Sequence, residues 1–254
     1  MNTKKKKFLF LCLALLLSAG FSSDKLNKAI AHPEGVTKLN LMYCQLDRLP
    51  PEIGKLKDLQ KLDLSKNNLR KLPDETGDLT RLETLLITSN ELTELPHTIG
   101  KLAALVKLSI KHNNLRMLPP EIGDLKDLKE LYLSYNELET LPPEICKLKN
   151  LEFLYIDNNK LKSLPENIGD LENLKFLVIG KNSLSSLPAQ IGRLERLREL
   201  DVSHCGPMVT IPGSIENCKM LEYLYVDKSI LLPLSIHNTN PHLQIVLKEP
   251  GVIN

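Results

Sequence analysis

The feature that most constrains this chain is a motif that recurs every 23 residues through most of its length. Residues 82–104 read LETLLITSNELTELPHTIGKLAA, and residues 105–127 repeat the pattern as LVKLSIKHNNLRMLPPEIGDLKD. The shared frame is L-x-x-L-x-L-x-x-N-x-L-x-x-L-P-x-x-I-G-x-L-x-x. A fixed period of this length is typical of a solenoid, in which each unit buries its apolar face against its neighbours.

The frame predicts nine repeats over residues 36–241. They begin at Val36, Leu59, Leu82, Leu105, Leu128, Leu151, Leu174, Leu197 and Leu221. Asparagine occupies the ninth position in six consecutive repeats, and Cys44 and Cys205 take that position in the flanking ones. We expect these side chains to satisfy backbone groups that lose their partners where the chain turns away from a strand.

Each half of the frame predicts one element. The L-x-x-L-x-L half places two apolar side chains on one face of a short strand, and strands of this kind stack in parallel about 4.8 Å apart. In the second half, proline closes a turn because it fixes φ and lacks an N–H. Ile99 and Leu102 lie three residues apart, so one helical turn points both of them inward.

The ends of a solenoid need caps, because a terminal repeat has a neighbour on one side only. Residues 21–35 predict an N-terminal capping helix with Leu26, Ala29 and Ile30 at helical spacing. Residues 242–254 predict a C-terminal capping strand, HLQIVL, followed by a tail.

This frame resembles the leucine-rich repeat family over residues 36 to about 247. The LPxxIGxL half is similar to that of Ras-suppressor-type scaffolds and of secreted leucine-rich repeat proteins of spirochaetes. The resemblance implies an α/β fold, a right-handed horseshoe solenoid with a parallel β-sheet on its concave face and short helical or 3-10 turns on its convex face. It implies binding of other molecules, often proteins, without catalysis and without a cofactor.

The segment before the repeats predicts export to the periplasm, the cell surface or the medium. Residues 1–20 join the basic stretch MNTKKKK to an apolar run that ends in small residues, which is typical of a secretory signal peptide. An uncleaved membrane anchor is an alternative, although the run is short for a spanning helix. Lipidation at Cys12 is another, although the bulky Leu11 precedes that cysteine.

Removing this signal changes the charge of the chain. Four of the 33 basic residues leave with it, so 29 basic residues remain against 31 acidic ones, a net charge of −2. Nucleic acid is therefore not a predicted partner, and contact with a membrane is expected only through the export signal. Disulfide pairing among Cys44, Cys146, Cys205 and Cys218 remains open for an exported protein.

The aromatic residues of the repeats share one placement. The third, fifth, seventh and eighth frame positions point away from the core, toward the inner curve of the solenoid. All aromatic residues within the repeats occupy these positions: Tyr43, Tyr132, Tyr135, Phe153, Tyr155, Phe176, Tyr223 and Tyr225. Exposed aromatic clusters usually mark interaction sites, whereas a purely stabilising cross-strand ladder is the other interpretation.

The sequence therefore predicts a protein-binding patch on the concave face, centred on repeats five to seven. The predicted contact residues are Tyr132, Tyr135, Phe153, Tyr155, Asp157, Phe176, Val178, Asp201, Tyr223 and Tyr225. Lysines such as Lys38 and Lys107 in the N-terminal repeats, against Glu199 and Asp227 in the C-terminal ones, predict a charge gradient that orients the partner.

Two other functions remain open. A glycan-binding module would use the same patch, since aromatic rings beside Asp157 and Asn158 also suit sugar stacking. An intracellular signalling scaffold is the third function, and the predicted signal peptide argues against it. We predict no enzyme and no metal site, because Asp201, His204 and Asp227 have only a generic ligand spacing and the repeats contain no catalytic motif.

Overall fold

The computed structural model describes residues 24–233, residue 236 and residues 242–249. The predicted signal peptide, residues 1–20, and the end of the predicted tail lie outside the described residues. Within the described part no helix has the length and apolar character needed to cross a bilayer.

Ten strands form one parallel sheet whose order follows the chain. They are β1 Lys38–Asn40, β2 Lys61–Asp63, β3 Thr84–Leu86, β4 Lys107–Ser109, β5 Glu130–Tyr132, β6 Phe153–Tyr155, β7 Phe176–Val178, β8 Glu199–Asp201, β10 Tyr223–Val226 and β12 Gln244–Leu247. Two further strands, β9 Val209–Thr210 and β11 Ile230–Leu231, pair with each other in a separate two-stranded sheet. The parallel sheet confirms the predicted solenoid.

Each repeat strand begins at the third frame position, so its middle residue is the leucine of position four. These leucines are buried, as Leu131, Leu154 and Leu177 show. Neighbouring strands pair at identical frame positions, for example Leu131 with Leu154 and Leu154 with Leu177. Every frame position therefore becomes a row of side chains that runs along the solenoid.

The L-P-x-x-I-G-x-L half of each repeat contains a five-residue 3-10 helix. These helices span Pro51–Lys55, Asp74–Asp78, His97–Lys101, Pro120–Asp124, Pro143–Lys147, Glu166–Asp170, Ala189–Arg193 and Gly213–Asn217. Ile99 and Leu102 are both buried, as the three-residue spacing predicts. Glycine is needed for the close approach of successive helices, because a Cβ at Gly123 would lie 2.3 Å from the carbonyl oxygen of Glu144.

The ninth-position asparagines bind the backbone of two repeats at once. The amide of Asn159 donates to the carbonyl oxygens of Leu133 and Ile156, each at 3.0 Å, and its Oδ1 accepts the N–H of Leu138 at 3.0 Å. In repeat eight the thiol of Cys205 donates to the carbonyl oxygen of Ile179 at 3.0 Å. The predicted role of this position is confirmed, with cysteine making fewer bonds than asparagine.

Both ends of the repeat array are covered. A helix, α1, runs through residues 24–31 and buries Leu26 and Ala29 in the core, with Ile30 partly buried against it. At the other end β12 pairs with β10 and leaves its own outer edge unpaired within the described sheet. The core between them is aliphatic, because the buried hydrophobic residues of the described part include no phenylalanine or tyrosine.

Candidate functional site: the concave face

Phe153 and Tyr155 flank the buried Leu154 on β6, so both rings lie on the concave surface of the sheet. Each ring is half-buried because it packs against a ring in a neighbouring repeat. Phe153 stacks on Phe176 with centroids 4.8 Å apart and planes 5° apart. The ring centroids of Tyr132 and Tyr155 lie 5.2 Å apart, and the ring planes are inclined by 31°. We call Tyr132, Phe153, Tyr155 and Phe176 the central aromatic cluster.

This packing agrees in part with both interpretations of the aromatic residues, a stabilising cross-strand ladder and an exposed binding patch. The pairs follow the strand register, Phe153 opposite Phe176 and Tyr132 opposite Tyr155, as a cross-strand ladder requires. The rings nevertheless keep part of their surface in solvent. Val178 continues the Tyr132–Tyr155 row but is only 9% exposed, so it supports the ring beside it more than it offers a surface of its own.

A second pair of rings lies at the C-terminal end of the face. Tyr223 and Tyr225 on β10 have centroids 6.2 Å apart. Strand β8, with Glu199 and Asp201, separates this pair from the central aromatic cluster. The predicted patch is therefore divided in two by acidic side chains.

The eighth frame position forms the rim of the concave face, and its backbone is unusual. In eight consecutive repeats this residue has a positive φ although it is never glycine: Tyr43, Lys66, Ser89, His112, Tyr135, Asn158, Lys181 and His204. Glycine is the residue that adopts this conformation most easily. The rim therefore retains its side chains despite an unfavourable backbone conformation. Tyr135 is 42% exposed, and its ring stacks on that of His112 with centroids 4.2 Å apart.

The predicted acidic contact residues are already bonded within the chain. Asp157 accepts hydrogen bonds from Ser134 Oγ at 2.5 Å and from Asn158 Nδ2 at 2.6 Å. Asp201 is 6% exposed, accepts from Ser203 and pairs with Lys248 Nζ at 2.6 Å. Asp201 therefore positions Lys248 instead of presenting a free carboxylate.

Lys248 is a residue of the concave face that the sequence did not indicate. It follows β12, outside the repeat frame, and its Nζ lies 4.5 Å from the centroid of the Tyr225 ring. Its pairing with Asp201, 47 residues away, depends on β12 lying beside β10. No local pattern in residues 242–249 could have revealed it.

The predicted charge gradient is weaker than the sequence suggests. Lys107 pairs with Glu130 at 2.6 Å and lies 4.9 Å from the centroid of the Tyr132 ring. Asp227 lies 3.4 Å from His204 Nδ1 and also accepts from Ser229. Lys38 and Lys61 remain exposed and make no ion pair among the described residues.

The central tyrosines are neutral hydrogen-bond donors. Burial raises the pKa of Tyr132 far above its usual range, and the bond from its hydroxyl to Glu130 at 3.0 Å raises it further. Burial, followed by the nearby charge of Glu199, also raises the pKa of Tyr155. At physiological pH the central aromatic cluster thus offers rings and hydroxyl groups without a phenolate charge.

A cleft of about 540 Å³ opens between the rim and the C-terminal strands. Its walls include Tyr135, Asp157, Lys181, Tyr225 and Leu247. Four of the predicted contact residues line it: Tyr135, Asp157, Asp201 and Tyr225. The remaining six lie outside it, so the structure divides the predicted residues between a cleft and an open sheet surface.

Cys146, Cys205 and Cys218 are buried, and none of them forms a disulfide with another described residue. Burial raises the pKa of Cys146 to about 11 and the pKa values of Cys205 and Cys218 to about 12, so these thiols stay protonated at neutral pH. Thiols of this kind are poor nucleophiles. Across the described residues, no group of three His, Cys, Asp or Glu side chains is placed to hold a metal ion.

Comparison with known proteins identifies related families and structures. A family model described as a leucine-rich repeat region matches residues 37–113 and 99–175, and a second leucine-rich repeat model matches residues 149–206. No protein of curated function matches the sequence.

Several solved structures have the same fold. A leucine-rich repeat protein of Leptospira interrogans superposes with a TM-score of 0.60 at 25% identity, covering 87% of this chain and 80% of that one. The leucine-rich repeat domain of the type III effector XopL has a TM-score of 0.79 at 26% identity, covering 90% and 81%. The plant peptide hormone receptor RGFR1, solved in complex with RGF2, has a TM-score of 0.73 at 32% identity. That match covers 83% of this chain but 35% of the receptor chain.

Proposed function

The chain belongs to the leucine-rich repeat family, and on that basis we propose that it is an exported, non-catalytic module whose concave face binds a protein partner. Members of this family commonly bind proteins. One observation supports the proposal most strongly: among the described residues the aromatic side chains lie on the concave face, while the core is aliphatic.

The central aromatic cluster is the proposed anchor of the contact. Partly exposed rings held in fixed stacks offer a large contact area at little cost in side-chain entropy, which is typical of residues that dominate binding energy. The neutral hydroxyl group of Tyr155 adds a donor beside the apolar surface. We propose Tyr135, Asp157, Tyr223 and Tyr225 as surrounding contacts, with Val178 and Asp201 supporting them from below.

The structure of RGFR1 in complex with RGF2 supports a protein or peptide as the partner class. A second plant receptor of the same fold, PEPR1, is also solved in complex with AtPEP1, at 32% identity to this chain. The present chain spans about a third of these receptor chains, with coverage of 35% in both cases.

A peptide selection tests the proposal. Residues 21–254 would be used to select binders from a displayed library of random peptides, and each binder would be tested against the quadruple variant Tyr132→Ser, Phe153→Ser, Tyr155→Ser, Phe176→Ser. We expect the variant to lose binding, because it removes the anchor. Tyr43→Ser is the matched control, since Tyr43 is 62% exposed but lies in the first repeat.

Circular dichroism would establish that the quadruple variant is folded before binding is compared. The variant loses its ring stacks, and a stack contributes about 0.5–1.5 kcal/mol. Equal binding of the selected peptides by a folded variant and by the wild type would show that the partner site is elsewhere.

The cleft favours glycan binding as a second candidate function. Tyr135 and Tyr225 provide aromatic walls, and Asp157, Asn158 and Lys181 provide polar groups within the same concavity. A glycan array screened with the wild type and with Tyr135→Ser tests this function. Binding that free sugar competes away and that the variant loses would support it, whereas binding competed only by peptides would exclude it for this cleft.

Export is tested by locating the protein and sequencing its N-terminus. We propose that the mature chain begins at Phe21, with residues 21–35 as an N-terminal cap and residues 242–254 as a C-terminal cap and tail. A mature protein outside the cytoplasm with that N-terminus supports the proposal. A full-length chain in the cytosol would favour the intracellular scaffold instead.

A further inference from the structure

Glu199 is a carboxylate of the concave face that bonds to none of the residues the structure describes. It occupies the third position of β8, opposite Phe176 of β7 on one side and Tyr223 of β10 on the other. Its side chain is partly buried, yet it makes no hydrogen bond or ion pair to any described residue. A partly buried charge without a partner is unfavourable, so its presence calls for an explanation.

The same face contains two carboxylates of similar surroundings that do have partners. Glu130 holds Lys107 Nζ at 2.6 Å, and that nitrogen lies 4.9 Å from the centroid of the Tyr132 ring. Asp201 holds Lys248 Nζ at 2.6 Å, and that nitrogen lies 4.5 Å from the centroid of the Tyr225 ring. In both cases a carboxylate and a tyrosine ring together bind an ammonium group.

Glu199 has the carboxylate and the rings, but no ammonium group among the described residues bonds to it. Phe176 and Tyr223 lie on the adjacent strands at the same frame position, about 4.8 Å away on either side along the sheet. The charge of Glu199 also reaches Tyr155 and Tyr225, because it raises the pKa of both hydroxyl groups. Two aromatic residues therefore flank this carboxylate, and its charge acts on two further tyrosine hydroxyl groups.

The charges around Glu199 do not cancel. Burial raises the pKa of Glu199, the charge of Asp201 raises it further, and Lys248 lowers it in part. Lys248 is bonded to Asp201, so one lysine serves two carboxylates. A second cation at this position would neutralise the negative charge that Glu199, Asp201 and Lys248 carry together.

We propose that Glu199, between the rings of Phe176 and Tyr223, binds a cationic side chain of the protein partner, an arginine or a lysine. The proposal rests on the proposed function, because it assigns one contact within the protein-binding face. A planar guanidinium suits the position best, since it pairs with a carboxylate through two N–H groups and stacks on aromatic faces. Strand β8 then provides a specific contact between the central aromatic cluster and the pair Tyr223 and Tyr225.

The first experiment uses small probes and does not require the natural partner. N-acetyl-arginine amide, N-acetyl-lysine amide and the neutral isostere N-acetyl-citrulline amide would be titrated into residues 21–254. Binding would be followed by NMR through the ring resonances of Phe176 and Tyr223. We expect saturable shifts with the arginine probe and none with citrulline. The tighter of the two cationic probes identifies the preferred side chain.

Glu199→Gln tests the role of the carboxylate. We expect the variant to bind the arginine probe about tenfold more weakly, which corresponds to the loss of one charge-assisted contact. Glu166→Gln is the matched control, because Glu166 is exposed on the convex face and makes no ion pair among the described residues. Since Glu199 makes no bond within the described structure, Glu199→Gln should fold normally, and circular dichroism would check this.

Equal binding of the arginine and citrulline probes, or equal binding by the wild type and Glu199→Gln, would overturn the proposal. A negative result with the probes does not affect the peptide selection, which tests the anchor at the central aromatic cluster. Conversely, the peptide selection could fail while the arginine probe binds. That result would show a cation site on a face that binds something other than a peptide. The two proposals therefore fail in distinguishable ways.

Discussion

At the scale of single residues, the ninth-position asparagines couple neighbouring repeats. Asn136 donates to the carbonyl oxygens of Ile110 and Leu133, and its Oδ1 accepts the N–H of Leu115. These backbone groups have no ladder partner where the chain leaves the strand. One buried amide therefore replaces several hydrogen bonds that a regular sheet would provide.

Asn136→Ala should lower the free energy of unfolding by about 1–3 kcal/mol, the usual effect of leaving buried polar groups unsatisfied. Asn136→Cys should lower it less, because Cys205 shows that a thiol in this position makes one of the bonds. Urea denaturation measures both. Asn114→Ala is the control, since this exposed neighbour should change stability by less than about 0.5 kcal/mol. Equal losses at Asn136 and Asn114 would contradict the role assigned to the ninth position.

Glu199→Gln should also alter how stability depends on pH. The pKa of Glu199 is raised in the folded state, so folded protein binds a proton where unfolded protein has already lost it. Its contribution to the free energy of unfolding therefore falls as pH rises from the ordinary glutamate pKa through the folded pKa. At pH 7 the variant should be more stable by roughly 0.5 kcal/mol, the scale of a solvent-screened charge effect.

The extra stability of the variant should vanish at about pH 3.5, where Glu199 is protonated in both the folded and the unfolded state. Thermal unfolding of wild type and variant at both pH values measures it. The groups facing Glu199 are Asp201, Lys248, Tyr155, Tyr223 and Tyr225, and they are unchanged in the variant. A gain that persists undiminished at the lower pH would show that the carboxylate charge is not its cause.

At the scale of elements, the repeat frame fixes where each strand and 3-10 helix lies. In the second repeat, however, Thr76 occupies the position that isoleucine takes in most other repeats. Thr76 is fully buried within the 3-10 helix Asp74–Asp78, and its hydroxyl has no hydrogen-bond partner in the described part of the chain. The next repeat also has a buried threonine, Thr98, whose hydroxyl donates to the carbonyl oxygen of Asp74 at 2.7 Å.

These two threonines should respond oppositely to the same substitution. Thr76→Val should raise the free energy of unfolding by about 1 kcal/mol, because it removes a buried hydroxyl without a partner at nearly constant volume. Thr98→Val should lower it by about 1 kcal/mol, because it removes a hydrogen bond and leaves the Asp74 carbonyl without this donor. Urea denaturation of both variants is the measurement. A shift in the same direction for both would contradict the interpretation.

The sequence predicts those structural elements that recur from one copy of the repeat frame to the next. Leu154 and Ile99 are buried, and Phe153 and Tyr155 face the concave side, because position in the frame decides the direction of each side chain. The positive φ of rim residues such as Tyr135 could not be inferred, since the side chains there resemble those of ordinary strands. Lys248 lies outside the frame, so its contact with Asp201 depends on the packing of β12 and not on a local pattern.

At the scale of the whole molecule, stability is distributed along a line. Each strand pairs only with its neighbours, so a terminal strand protects everything behind it. At the C-terminal end this protection comes from β12, which pairs with β10 over four residues and carries Lys248 to the concave face.

A chain that ends at residue 241 should therefore unfold first in its C-terminal repeats. It loses the pairing of β10 with β12 and the Lys248 contact with Asp201, so we expect a fall in Tm of about 5 °C or more. The exposed edge of β10 should also promote aggregation. Differential scanning calorimetry and light scattering measure both effects. A chain that ends at residue 249 keeps β12 and Lys248 and is the control, and equal Tm values for the two would contradict this role.

The register of the sheet also sets a scale for the partner. Equivalent side chains recur about every 4.8 Å along the solenoid. A partner in the polyproline II conformation advances about 3.1 Å per residue and returns its side chains to the same face every third residue. Three residues of such a partner therefore span nearly the same length as two repeats. Phe153 and Glu199 occupy the same frame position two repeats apart. A partner laid along this face would meet them with residues i and i+3, so the module measures spacing as well as chemistry.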